Sequence, residues 1–172
     1  MPSYDHNRVS IDRLREVLDY CSETGQFTWK ISPMTRIKPG TPAGKISPRG
    51  YAFVTFERTA HAAHWLAWAF HYGQWPESGL DHINRIKSDN RIRNLRLASA
   101  SHNNANYGIG CRNTSGAKGV TRLRSGSWQA QIQENGDNRY LGAFRSKDEA
   151  AAAYSNAAQQ YFGEFASAGG PP

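Results

Sequence analysis

Residues 81–104, DHINRIKSDNRIRNLRLASASHNN, place five Asn, two Asp and two His among five Lys and Arg. No element of that polarity can lie whole inside an apolar core, because each buried amide or charge needs a partner. The stretch therefore reads as short elements around a polar loop. A strand at LDHI leads into the loop, a second strand lies around LRLAS, and a short helix runs from Ser101 to Tyr107.

The residue types suit one kind of chemistry. In an extended segment Asp81 and His82 point to opposite faces, so one can turn to a cation while the other faces a water. Hydrolysis of a phosphodiester needs a base for that water, positive charge for the crowded phosphorane-like state, and stabilisation of the leaving 3′ oxygen. One His and one hard cation supply all three. Magnesium favours carboxylate, amide and water oxygens, so Asp81 with one Asn oxygen is sufficient protein ligation.

The rest of the chain fits a polyanionic partner. Lys and Arg number 21 against 14 Asp and Glu, giving a formal charge of +7 and a pI near 9.6, in the range of nucleic-acid binders. No acid occurs between Asn90 and Gln133. From Lys30 to Arg58 there are six cations and one acid, so the Pro- and Gly-rich loop 32–50 can track a phosphate backbone or serve as a solvated connection. Two cysteines, Cys21 and Cys111, without a CxxC pair, support neither a disulfide framework nor a cysteine-built zinc site. The apolar run in HAAHWLAWAFHY is too short for a membrane span, and MPSYDHNRVS has no signal-like apolar region. The expectation is a cytoplasmic protein with no membrane partner; the sequence sets no oligomeric state.

Periodicity predicts an α+β chain. Ser10 caps a helix over 10–22 carrying Ile11, Leu14, Val17, Leu18 and Cys21; QFTWK and YAFVTFE alternate as strands. A second helix spans 61–72, with Trp65, Leu66, Trp68, Ala69 and Tyr72 on its apolar face and Gly73 as its stop. YGIGCRNTSGAKG reads as a linker. GVTRLRS, SWQAQIQ and NRYLGAF then form a three-strand meander, followed by a helix opening on the capping box Ser146–Glu149. The expected modules are an N-terminal helix and small sheet (1–58), the polar strand-loop-strand-helix unit (59–108), a linker (109–115), a sheet-and-helix unit (116–166) and a tail (167–172).

HWLAW followed by DHINRIKSDNRIRNLRLASASHNNAN, over residues 64–106, closely resembles the HNH endonucleases of the ββα-metal fold, in particular the phage and intron-encoded homing type. The resemblance implies that His82 is the general base, Asp81 a metal ligand, Asn94 the organiser of the catalytic loop and Asn103 the second ligand, with Asn104 and Asn106 as nearby substitutes. It implies Mg2+ or Mn2+ as cofactor and a cut in double-stranded DNA that leaves 3′-hydroxyl and 5′-phosphate ends. Arg85 stands where a Gly is often found. Arg85, Lys87, Arg91, Arg93 and Arg96 form a cationic run that counters phosphate repulsion and positions the strand without reading bases. His64 packs beside the loop, as a phosphate contact or a core histidine; His61, His71 and His102 are read as surface or packing residues.

SGAKGV, WQAQI, YLGAF and EAAAAY, within residues 113–166, are similar to the AP-two or ethylene-response-factor type of DNA-binding domain, which implies a sheet that enters the major groove, backed by a helix. Trp128, Ala130 and Ile132 alternate with Gln129, Gln131 and Gln133, so one face is apolar and the other carries amides able to pair with adenine. Lys118, Arg122, Arg124, Arg139 and Tyr140 are placed on or near that face. The expectation is a site-preferring DNA endonuclease with its own reader. The alternatives are a DNA-binding regulator with an inactive nuclease and an RNA-processing nuclease.

Overall fold

The computed structural model describes residues 9–167; the first eight residues, read above for an apolar leader, and residues 168–172 of the expected tail lie outside the described residues. The chain divides into two compact units, Met1–Leu97 and Ala98–Pro172.

The first unit opens with α1, Ile11–Val17, whose N-cap hydroxyl on Ser10 accepts from the Arg13 N–H at 3.1 Å. The helix stops there instead of continuing to residue 22. Leu18–Cys21 forms β1 and pairs antiparallel with β2, Gln26–Trp29. Leu18 and Cys21 fit a helical spacing, but the hairpin gains more from this run: Gly25 takes a left-handed φ of 73° at the turn, and Tyr20 stacks on Phe27 at 4.8 Å. Within the loop expected at 32–50, Pro42–Ala43 (β3) pairs with β2 and Lys45–Ile46 (β4) pairs with β5, Ala52–Phe56.

β6, Thr59–Ala62, completes that second sheet, and this is why α2 spans Ala63–Tyr72 and starts two residues later than expected. α2 ends at Gly73, in the left-handed region, whose N–H returns to the Ala69 carbonyl at 3.0 Å. Leu66, Ala67 and Ala63 join Leu14, Val17, Leu18, Phe27, Trp29, Val54, Phe56 and Leu95 in one core cluster. Full burial of Leu14, Leu18 or Leu66 contributes about 2 kcal/mol each. Tyr72, expected on the apolar face, is 51% exposed and lies against Trp68. β7, Gly79–His82, and β8, Leu95–Ala98, make a two-stranded sheet, and the polar loop between them closes through a short 3-10 turn at Ile92–Asn94.

The second unit begins with α3, Ala100–Asn106, capped by Ser99. Its sheet runs in the order β11-β10-β9, with β9 Val120–Arg122, β10 Trp128–Glu134 and β11 Asp137–Phe144. Asn135 and Gly136, both at positive φ, make the two-residue turn between β10 and β11. α4, Lys147–Phe162, opens with both halves of the Ser146–Glu149 capping box in place. Ile132 packs with Tyr154, Ala157 and Ala158, and Ala130 with Ala150. Gly119 is required here: a Cβ on it would lie 2.2 Å from the Tyr154 ring. The fold is thus α+β, with small antiparallel sheets, an N-terminal helix and a C-terminal three-stranded sheet packed on a helix, as the periodicity predicts. An expected module boundary at 108 and the packing boundary at 97 differ in where they put α3.

Candidate active site

Asp81 and His82 end β7, and both are buried. The Nε2 of His82 lies 3.2 Å from Oδ1 of Asn90. Asn90 donates its Nδ2 to the Ser88 carbonyl at 3.2 Å, so its oxygen is the atom turned toward the imidazole. His82 therefore donates from Nε2, and Nδ1 is the ring's acceptor. Burial pushes the His82 imidazole below its usual value, while the Asn90 contact partly opposes this. At neutral pH the ring is uncharged, the state a proton acceptor requires.

Asn94 ties the loop across its width. Its Oδ1 accepts from the Asn84 N–H at 3.0 Å, and its Nδ2 donates to Asn84 Oδ1 at 2.9 Å and to the Asp89 carbonyl at 2.8 Å. Its own carbonyl accepts from Ile83 at 2.9 Å. Asn84 in turn donates to Asp89 at 2.6 Å, and Asp89 takes both forks of Arg91. Those Arg91 hydrogen bonds hold the Asp89 carboxyl down to about 2.

The expected cationic run is used in several ways. On β8, Arg96 directs Nε and Nη2 onto Asp81 Oδ2, at 3.0 and 2.9 Å. Arg91 belongs to the Asp89 pair. Arg85 holds a left-handed φ of 63°, the conformation that Gly would take without strain. Lys87 places Nζ 5.0 Å from the centre of the Tyr51 ring, and Arg93 is exposed.

His64, on α2, meets the His82 ring edge-on at 5.1 Å. It is buried, its Nδ1 has no hydrogen-bond partner, and burial pushes its imidazole down to about 3. His102 stacks on Phe165 at 4.3 Å, a packing role. His61 is buried on β6 opposite Val54, and His71 meets the Tyr72 ring edge-on.

Sequence reasoning missed the supports from the N-terminal hairpin. Tyr20 donates its hydroxyl to the Asn90 carbonyl at 2.8 Å, and the Ile92 N–H reaches the Ser22 carbonyl at 3.3 Å. A Cβ on Gly25 would lie 2.5 Å from the Arg91 nitrogen, so only glycine lets the turn approach that closely. Residues about 70 positions apart leave no spacing signal in the sequence.

The remaining site residues lie in the second unit. Asn103 is half-buried on α3, Asn104 is exposed and Asn106 is buried. Lys118 donates to the carbonyls of Asn104, Ala105 and Tyr107, at 3.1, 2.6 and 2.6 Å, which ties it to the C-terminal end of α3. Gln129, Gln131 and Gln133 share one sheet face with Tyr140, which pairs with Gln131. Arg122 and Arg139 do not join that face. They pair with Trp128 and Ile132 on the side bearing α4, where Arg122 lies over Trp128 and Arg139 over Tyr161. Arg124 is exposed in the β9–β10 turn.

Among the described residues no group of three or more His, Cys, Asp and Glu is arranged to hold a metal ion. Asp81 is the carboxylate that ends β7, and Arg96 compensates one of its oxygens. A carboxylate donor suits a hard, largely water-ligated cation. It does not suit a cysteine- or histidine-caged zinc. Among the described residues no helix is long and apolar enough to cross a membrane.

Over 87 residues, 51% of this chain, the sequence is 32% identical to a protein of Acanthamoeba polyphaga mimivirus described as an uncharacterized HNH endonuclease. That match spans 44% of the viral protein's length. No solved structure is a significant match. Residues 61–105, which hold Asp81, His82 and Asn94, match the family model described as HNH endonuclease.

Proposed function

We propose that the protein is a divalent-metal-dependent DNA endonuclease whose HNH segment cuts the phosphodiester and whose C-terminal sheet binds the duplex in the manner of an AP-two-type reader. The observation that carries this reading is the His82 ring, buried and held through Nε2 by Asn90 in the segment that matches the HNH family. His82 takes the proton of a water through Nδ1, the water oxygen bonds to phosphorus, and the bond to the 3′ oxygen breaks as that oxygen takes a proton from solvent, leaving a 5′-phosphate and a 3′-hydroxyl. HNH nucleases typically use divalent metal ions; Asp81 would be a ligand of such an ion, Asn103 is the second ligand only as the family resemblance implies, and the ion would supply charge neutralisation at the phosphate. Asn94 keeps the loop in shape.

Lys87, Arg85 and Arg93 carry positive charge for the strand being cut, and Gln129, Gln131, Gln133 and Tyr140 offer an amide-rich face for base edges. Arg124, exposed in the β9–β10 turn, adds positive charge for phosphate, whereas Arg122 over Trp128 and Arg139 on Glu134 and Tyr161 are held on the α4 side. Cytoplasmic action on phage or host DNA remains part of the proposal. The test is cleavage of duplex DNA, single-stranded DNA and RNA with and without magnesium, using wild type and His82→Ala. Magnesium-dependent cutting of the duplex, lost in His82→Ala while DNA binding persists, is the expected result. No cutting by the wild type would favour a DNA-binding regulator, and a preference for RNA would favour an RNA-processing nuclease.

A further inference from the structure

The hairpin that joins β4 to β5 lies outside the segment that matches the family, yet its turn meets the catalytic loop. The turn spans Ser47 to Tyr51. It is closed by the Ser47 N–H to the Tyr51 carbonyl and by the Gly50 N–H to the Ser47 carbonyl, both at 2.8 Å, with Gly50 in the left-handed region. Tyr51 is not part of the apolar core cluster around Leu14 and Leu66. Its ring centre is instead 5.6 Å from that of His64 and 6.2 Å from that of His82, and the two histidines are 5.1 Å apart. Three rings thus form a closed triangle. On the same tyrosine sits the Lys87 ammonium, 5.0 Å from the ring centre, which also reaches the Arg49 carbonyl at 3.4 Å.

Rotation of an imidazole about its terminal torsion is soft, so one hydrogen bond at Nε2 does not by itself fix the ring plane. A second contact on the ring does so. A lysine ammonium on a flexible stem is likewise placed only by what holds its tip, and here an aromatic face and a backbone carbonyl hold it.

We propose that Tyr51 is a positioning residue of the nuclease site, setting the His82 ring plane and the Lys87 ammonium together, so that the 45–56 hairpin forms one wall of that site. This rests on the nuclease reading above.

The experiment uses the full chain and a supercoiled plasmid as duplex probe, with wild type, Tyr51→Ala, Tyr51→Phe and His82→Ala. Tyr51→Ala is expected to lower the single-turnover cleavage rate by about 10- to 100-fold, as small misplacements of reacting groups do, with the dissociation constant for the plasmid changed less than about 3-fold. Tyr51→Phe, which keeps the ring, is expected to cut within about 2-fold of wild type. Without metal, the His82 Cε1 proton resonance should move in Tyr51→Ala and stay near its wild-type position in Tyr51→Phe. Should Tyr51→Ala fail to fold, Tyr51→Leu keeps the bulk without the ring and carries the same expectation.

Wild-type cutting by Tyr51→Ala, an equal loss in Tyr51→Phe, or a loss confined to binding would overturn the proposal. The two readings fail separately. No cutting by the wild type ends the nuclease reading and full activity of His82→Ala ends the assignment of His82 as base, whereas an inactive His82→Ala beside a fully active Tyr51→Ala ends only the role of Tyr51.

Discussion

Arg96 on β8 reaches Asp81 on β7 with two N–H groups on one carboxylate oxygen, at 2.9 and 3.0 Å, and both side chains are largely buried. Removing one partner of such a pair leaves the other charge without compensation, and that cost exceeds what the intact pair contributes. Arg96→Ala is therefore expected to destabilise the protein by about 3 kcal/mol, and Arg96→Lys by less. Urea unfolding of the two variants checks this; equal midpoints for wild type and Arg96→Ala would show that the pair does not bear on stability.

Asn94 offers a sharper test, because both ends of its amide are used. Asn94→Ala leaves the Asn84 N–H and the Asp89 carbonyl without their partner, at about 1–3 kcal/mol for each buried group. Asn94→Asp keeps the acceptor for Asn84 but sets an oxygen against two others, Asn84 Oδ1 and the Asp89 carbonyl. It should not rescue. Unfolding curves and plasmid cleavage, measured side by side, are expected to fall together in both variants.

Acid should weaken the fold in two stages. The unfolded chain protonates His64 near its ordinary value of 6.5, whereas the folded protein does so only at about 3. Between those values the unfolded state binds more protons, so stability rises with pH and is lost progressively as pH falls below about 6.5. The Asp89 carboxyl, held at about 2 from 3.8 by Arg91, adds a further loss below about pH 4. Denaturant midpoints from pH 3 to 8 should slope downward on the acid side, and His64→Leu should flatten the part between 4 and 6.5. His82, depressed in the same direction, keeps the slope from vanishing. An unchanged slope in His64→Leu would rule out His64 as a source.

Arg85 pits backbone against charge. Its φ of 63° costs a non-glycine residue about 1 kcal/mol. Arg85→Gly should therefore raise the melting temperature by about 2–4 °C, the shift that such a change gives in a chain of this size. The same variant should bind DNA less tightly, since a cation of the loop is lost. A melting temperature that falls would mean that contacts of the arginine side chain outweigh the strain.

What could be read from the sequence was local. Ser10 and Ser146 cap the helices they were expected to cap, and the alternation of Trp128 through Gln133 gives the two faces of β10. The contacts of His82 with Asn90 and of Asn94 with Asn84 join residues eight and ten positions apart. What the sequence hid was non-local or ambiguous. Leu18–Cys21 satisfies helix and strand periodicities at once, and only pairing with Gln26–Trp29 decides between them. Arg122 and Arg139 lie on the α4 side because of strand register, which charge counting does not reveal. Tyr51 meets His82 from 31 positions upstream through a turn whose sequence, SPRGY, announces only a bend.

The N-terminal hairpin has a consequence for how the segment that matches the family can be trimmed or transplanted. Tyr20, Ser22 and Gly25 grip the outer rim of the catalytic loop at Asn90 to Ile92. A fragment cut to the borders of the family match would carry every residue named for chemistry and still lack the scaffold that keeps them in register. Swapping this segment between relatives should succeed only when the first thirty residues travel with it.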